Sequence, residues 1–259
     1  MSIFIGCAGW TLRKEHAAHF PSAGTHLERY AGRLNCVEIN SSFYRSHRMR
    51  TYQRWAESTP SGFRFAVKLP KQVTHVRRLV DVRPQVEQFL AETSGLGDKL
   101  GPILVQLPPS LEFDAPTIEG FFRELRAHSG ASIVCEPRHS SWFRQDAEAL
   151  MEAYMIDRVA ADPSIVPEAA VPGGCRQDCY FRWHGSPRTY YSAYDEQALG
   201  TLARQLLAFA TRARSVWCIF DNTAEGAALT NALALDESSK RGTSISRFVL
   251  PSSVLNKTD

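Results

Sequence analysis

Seven short apolar runs in this chain finish in, or close to, a residue that can hold charge or donate a hydrogen bond. CVEIN carries Glu38 and ends at Asn40, and FRFAVK ends at Lys68. PILVQLP carries Gln106, SIVCEPRH carries Glu136 and Arg138, and RVAAD ends at Asp162. CYFRWHG carries Arg182 and His184, and VWCIFDN ends in Asp221 and Asn222. Apolar strands that repeatedly stop on Glu, Lys, Asp, Arg or His gather titratable groups along one edge of a sheet, where such groups mark function. Glu38, Glu136 and His184 are the acid/base candidates. Lys68, Arg138 and Arg182 suit the capture of a phosphate or carboxylate.

The loops beyond these strands add candidates. In KLPKQVTHVRR, Pro70 opposes a helix start, and His75 follows the turn it makes; Arg77 and Arg78 read as solvated. NSSFYR offers Tyr44 for stacking on a ring or base, with Phe43 as stacking partner or plug. EPRHSSW adds His139 as a second titrating group, while Ser140 and Ser141 read as helix caps. FRWHGSPRTYYSAY brings Arg188 toward an anion, and Asn222 suits a ligand hydroxyl or phosphate. Glu38, Glu136, Asp162, His184 and Asp221 are donors a metal would use. The chain lacks H-x-H and H-E-x-x-H spacing, and Lys and Arg share the same ring, so no metal is expected. No cofactor motif is present, so none is expected. A purely structural ion network is the alternative to a ligand site. Burying each ion costs several kcal/mol that pairing often only recovers, which favours the ligand reading.

The elements that position these residues alternate. Strand candidates are Ile3–Ala8, Cys36–Asn40, Phe63–Lys68, Ile103–Leu107, Ser132–Glu136, Arg158–Asp162, Cys179–His184 and Val216–Asp221. Segments with apolar residues three and four apart lie between most of them. VPEAAVPGGCRQDC, after the sixth, has little helical period. This alternation predicts a single (β/α)8 TIM-type barrel with its site at the carboxyl ends of the strands. A doubly wound sheet would usually show G-x-G-x-x-G after the first strand, where CAGWTLRKEH stands instead. Strand alternation turns Val37, Ile39, Phe65 and Val67 toward the helices. It turns Glu38, Asn40, Lys68, Gln106, Glu136, Arg182 and His184 inward. Asp162 and Asp221, at strand ends, are expected to join them. The barrel is expected over 1–240, with 241–259 as a peripheral extension.

The 259 residues suit one large domain, and a net charge of +3 permits anionic ligands without demanding them. The six cysteines are scattered, several inside strands, as reduced buried thiols would be. MSIFIGCAGW lacks a signal peptide's basic start and long apolar stretch, and no run suits a membrane span. A cytoplasmic location and no membrane partner are expected.

The strand-end motifs resemble the YecE-like family, domain of unknown function 72. The matching stretches are GCAGW (6–10), VEINSSFYR (37–45), RWAESTPSGFRFAVKLPKQVTH (54–75), LGDKLGPILVQLPPSLEFD (96–114), EPRHSSWF (136–143), FRWHG (181–185), the YYSAY region (190–194) and FDNTAEGAALTNAL (220–233). The resemblance implies a TIM-type barrel and no particular reaction. Members commonly have Thr where Cys7 stands and Asn where Asp221 stands, so this chain adds a carboxylate. The expected function is a hydrolase or lyase for a small or nucleotide-like anionic substrate, with a small anionic or phosphorylated ligand as partner. The alternatives are a nucleic-acid-binding or repair-associated barrel and a non-catalytic ligand-binding scaffold.

Overall fold

The computed structural model of the chain describes residues 2–246. Its strands are β1 (Ser2–Cys7), β2 (Cys36–Ile39), β3 (Arg64–Lys68), β4 (Leu100–Gln106), β5 (Ile133–Glu136), β6 (Ile156–Arg158), β7 (Ala160–Asp162), β8 (Gly173–Gly174), β9 (Asp178–Trp183) and β10 (Ser215–Phe220). Its α-helices are α1 (His26–Ala31), α2 (Met49–Glu57), α3 (Arg83–Thr93), α4 (Ala115–His128), α5 (Gln145–Ala153), α6 (Glu196–Ala210) and α7 (Ala227–Ser246). Local chemistry fixes several helix starts. Thr25 and Glu28 form a capping box on α1, and Asp114 and Asp195 accept from the first turns of α4 and α6. Among the described residues no helix is long and apolar enough to cross a membrane.

The strands form two sheets, in the orders β1-β10-β9-β7 and β2-β3-β4-β5-β6-β8. All pairings are parallel except the short one between β6 and β8. The expected sixth strand is two pieces with different partners. β6 pairs with β5, β7 pairs with β9, and Val159 between them donates its N–H to the Cys135 carbonyl at 2.8 Å. At the other seam, Ala8 and Glu38 form an isolated parallel bridge, and Gly9 donates to the Glu38 carbonyl at 2.9 Å. Gly6 permits this approach, because a Cβ there would lie 2.1 Å from the Cys36 carbonyl oxygen. The segment between β7 and β9 holds a 3-10 turn over Pro167–Ala170 and no α-helix.

Alternation divides the core into two clusters. Ile5, Val37, Ile39, Phe65, Val67, Ile103, Val105, Ile133, Phe181 and Phe220 belong to the large cluster shared with the helices. Ala8, Cys36, Ala66, Leu104, Val134, Val159, Tyr180, Trp217 and Ile219 form a smaller one on the opposite strand face. There the Trp217 ring stacks between Phe4, at 4.4 Å, and Tyr180, at 6.1 Å. The boundary expected after residue 240 falls inside α7, which continues to Ser246. The rest of the expected extension, 247–259, lies outside the described residues. None of the six cysteines is in a disulfide, so Cys175 and Cys179 are unbridged.

Candidate functional site

Six of the nine residues of the smaller cluster are followed, two positions on, by a polar group at the strand's carboxyl end. Cys36 precedes Glu38, Ala66 precedes Lys68, Leu104 precedes Gln106, and Val134 precedes Glu136. Tyr180 likewise precedes Arg182, and Ile219 precedes Asp221. Since a strand repeats every two residues, this pattern sets polar side chains above an apolar floor. All six are buried.

Arg182 is the hub and has no solvent exposure. Its Nη2 and Nε donate to Glu38 Oε1 and Oε2 at 2.7 and 2.9 Å. Nη1 donates to Glu136 Oε2 at 2.8 Å, and Nη2 also reaches Asp221 Oδ2 at 3.0 Å. Burial opposes the guanidinium charge, but the three carboxylates overcome it and raise the Arg182 pKa. Tyr180 donates its hydroxyl to Glu38 Oε2 at 2.9 Å. Both Glu38 oxygens are therefore engaged at zero exposure. Glu38, expected as an acid/base group, cannot reach a substrate there. It acts as a counter-ion that positions Arg182.

His184 sits between two carboxylates, with Nδ1 3.1 Å from Asp221 Oδ2 and Nε2 3.2 Å from Glu136 Oε1. A neutral imidazole can donate from only one nitrogen, so this geometry favours imidazolium. The like charge of Arg182 opposes it, and Arg138 Nη2 lies 3.5 Å from Nε2. Burial pulls the His184 pKa down, but Glu136 and Asp221 outweigh it and raise the pKa. Burial likewise acts against the two carboxylates. Arg138, Arg182 and His184 hold Glu136 well below the usual range, and Arg182 and His184 lower Asp221. Arg138 donates from Nε to Glu136 Oε1 at 2.7 Å and from Nη1 to the Tyr190 hydroxyl at 3.1 Å. Glu136, Arg138 and His184 line a cavity of about 240 Å³ together with Pro109, Pro137, Ala161, Pro163, Ile165, Ala169 and Thr189.

Lys68 differs from the other cations. Its side chain is buried at 7% exposure, with Nζ 4.0 Å from the centre of the Phe43 ring. Among the described residues Nζ has no hydrogen bond and no carboxylate within ion-pair distance. Burial, then Arg182, pushes its pKa down to about 8, against the pull of Glu38, Glu136 and Asp221. With Lys68 and His184 protonated, four cations face three carboxylates, a surplus of one positive charge.

Other expected site residues lie elsewhere or are already committed. Asp162 points away from the cluster, on the same strand face as Ala160 of the helix-side core, and its Oδ1 accepts from Tyr194 at 2.6 Å. Gln106 donates to its neighbour's carbonyl, that of Leu107, at 2.6 Å. Asn222 spends its amide N–H groups on Ser192 O and Asn231 Oδ1, both at 2.9 Å, so it ties loop to helix. Asn40 opens the 3-10 turn Ser41–Phe43, and its Oδ1 is enclosed without a partner. His75 bonds Thr74 at 2.8 Å and meets the Phe43 ring edge-on, at the rim beside Lys68. Tyr44 is 76% exposed, outside the cluster. Arg188 stacks on Tyr191 and faces a different cavity, with Glu15 and His16. His139, not Ser140 or Ser141, accepts from the following turn, while Ser141 accepts from Phe113. Tyr190 on Arg138 was not anticipated; it comes from a loop with no strand alternation to reveal its direction. Among the described residues the one His/Cys/Asp/Glu group within metal-ligating reach is Glu87, Glu124 and His128, on α3 and α4. At the strand ends the carboxylates are spent on guanidinium and imidazole groups.

The family model described as "Protein of unknown function DUF72" matches residues 4–252. The chain belongs to the DUF72 family. It is 30% identical over 147 residues to UPF0759 protein YecE of Escherichia coli K12, a match covering 56% of this chain and 52% of that protein. The chain thus matches about half the length of that relative. It is 26% identical over 264 residues to UPF0759 protein YunF of Bacillus subtilis, covering 88% of this chain and 92% of that protein. A crystal structure of a DUF72 family protein from Thermotoga maritima superposes with a TM-score of 0.77 at 24% identity, over 93% of this chain and 100% of that one. At that identity the likeness shows a shared fold alone.

Proposed function

We propose that the protein is an enzyme of hydrolase or lyase type acting on a small anionic, often phosphorylated, metabolite at the carboxyl ends of its strands. The reading takes the two sheets as one (β/α)8 barrel. Val159 would pass the sixth strand from one sheet to the other, and the Ala8–Glu38 bridge would join the remaining edges. Lys68 and the outer face of Arg138 hold the anion. The Nε2 proton of His184 serves as the acid, and Glu136 orients both His184 and Arg138. Glu38, Arg182 and Asp221 form the fixed, buried base beneath.

The observation that carries this reading is the unpartnered, buried Lys68 ammonium beside a cluster whose other charges are all paired. A network built for stability alone would pair that charge or replace it with a methylene chain. Thermal unfolding in the presence of inorganic phosphate, pyrophosphate, sugar phosphates and nucleotides tests it. A ligand that binds only the folded state raises the melting temperature with concentration. Arg138→Ala is expected to weaken the best ligand by roughly 10–100-fold, the value of one or two charged hydrogen bonds. Arg188→Ala is expected to leave it unchanged. No stabilisation by any small anion contradicts the reading. Stabilisation by DNA or RNA alone replaces it with the nucleic-acid one.

A further inference from the structure

We propose that Lys68 is an imine-forming nucleophile, whose Nζ attacks the carbonyl carbon of a small anionic aldehyde or ketone while Arg138 receives the substrate's anionic group. The proposal rests on the strand-end cluster being an anion site and adds a covalent step to it.

Three features of Lys68 support the step. Its ammonium has no carboxylate partner, so nothing within ion-pair reach holds the proton on nitrogen. The Phe43 ring, 4.0 Å away, covers one side of Nζ, and although its π face by itself favours the ammonium, burial and the like charge of Arg182 act against it. Desolvation and a neighbouring cation are the two influences that prepare an amine for covalent catalysis. Nζ is also not among the buried side-chain polar atoms that are fully sealed without a partner. The Ser42 hydroxyl, 2.6 Å from the Lys68 carbonyl, and the end of β3 fix the backbone beneath it. The other charged groups facing Nζ are Glu38 from β2, Glu136 from β5, Arg182 from β9 and Asp221 after β10, with His75 on the adjoining turn.

The step balances without an oxidant or reductant. The lone pair of neutral Nζ forms the N–C bond. The carbonyl π pair moves to oxygen, which takes a proton from the His184 imidazolium or water, giving a carbinolamine. A proton then passes from nitrogen to the hydroxyl, the C–O bond breaks to release water, and the nitrogen lone pair forms the C=N bond of a protonated imine. The protonated imine withdraws electrons from the adjacent carbon–carbon or carbon–hydrogen bond, which places the reaction on the lyase side of the function proposed above.

Reductive trapping tests this directly. The full chain is incubated at about pH 7 with glyoxylate, or with glyceraldehyde 3-phosphate, and sodium borohydride, and the adducts are mapped by peptide mass spectrometry. Glyoxylate should convert Lys68 to its Nζ-carboxymethyl derivative. With a pKa of about 8 against 10.5 for an ordinary lysine, Lys68 holds roughly 300-fold more free amine at this pH. Labelling should therefore run about 100-fold or more ahead of Lys14 and Lys71, and inorganic phosphate should slow it. Lys68→Arg, which keeps charge and bulk, should leave the site unlabelled while the protein melts normally. Labelling spread over exposed lysines with Lys68 untouched overturns the proposal. If phosphate still raises the melting temperature in that case, the anion site stands and only the covalent step falls. If phosphate neither binds nor protects, both fall.

Discussion

Glu136 and Asp221 sit on the two nitrogens of His184 and favour its protonated form. Its folded-state pKa is raised, so the stability it contributes is fully present below the ordinary imidazole value of 6.5 and is lost as pH rises through the raised value. Asp221 and Glu136 act with the opposite sign. Their depressed values give stability that is present above the usual carboxylate range and is lost as pH falls through the folded values. Replacing Asp221 with Asn removes one of the two carboxylates on His184. The His184 pKa should fall, as read from its ring-proton chemical shift in an NMR titration. The loss of stability should be greatest between the ordinary values of 3.8 and 6.5, and smaller above. An unchanged titration would mean that Glu136 alone sets the charge of His184.

At the scale of elements, the seam between β1 and β2 rests on Gly6. A methyl group there would collide with the Cys36 carbonyl. Gly6→Ala should therefore cost about 1–3 kcal/mol or more, as overpacking does. For a domain of this size that is a fall of roughly 3–10 °C in melting temperature. A neutral substitution would show that the two edges are free to part. Much of the strand-end cluster was legible from strand alternation. In β2, β3, β5 and β9 the apolar residues facing the helices are large and regular, so Glu38, Lys68, Glu136 and Arg182 could face only one way. Asp162 escaped this reasoning because Val159 divides its strand between two sheets, and the short β7 puts it on the helix-side face. The commitments of Gln106, Asn222 and His139 were not legible. Each is decided by a carbonyl or loop N–H whose position no periodicity describes. The same holds for Arg188, whose loop turns it onto Tyr191.

Across the whole molecule, charge is concentrated where hydrophobic filling would have served stability better. The smaller core cluster is apolar up to Tyr180, Trp217 and Ile219, then gives way at the carboxyl ends to three carboxylates, two guanidinium groups, Lys68 and His184. The three carboxylates around Arg182 outweigh its burial, whereas those facing Lys68 do not. An ammonium whose pKa drops from 10.5 to about 8 on folding costs the folded state about 3 kcal/mol at neutral pH. That cost is constant below pH 8 and is relieved as pH rises from there to 10.5. Chemical denaturation of Lys68→Met beside the wild type, with and without inorganic phosphate, isolates this trade. The expected result is a variant more stable by about 1–3 kcal/mol at pH 7, since Met keeps the aliphatic packing and removes the unpaired charge, and no longer stabilised by phosphate. A variant that is less stable than the wild type and still binds phosphate would contradict the account.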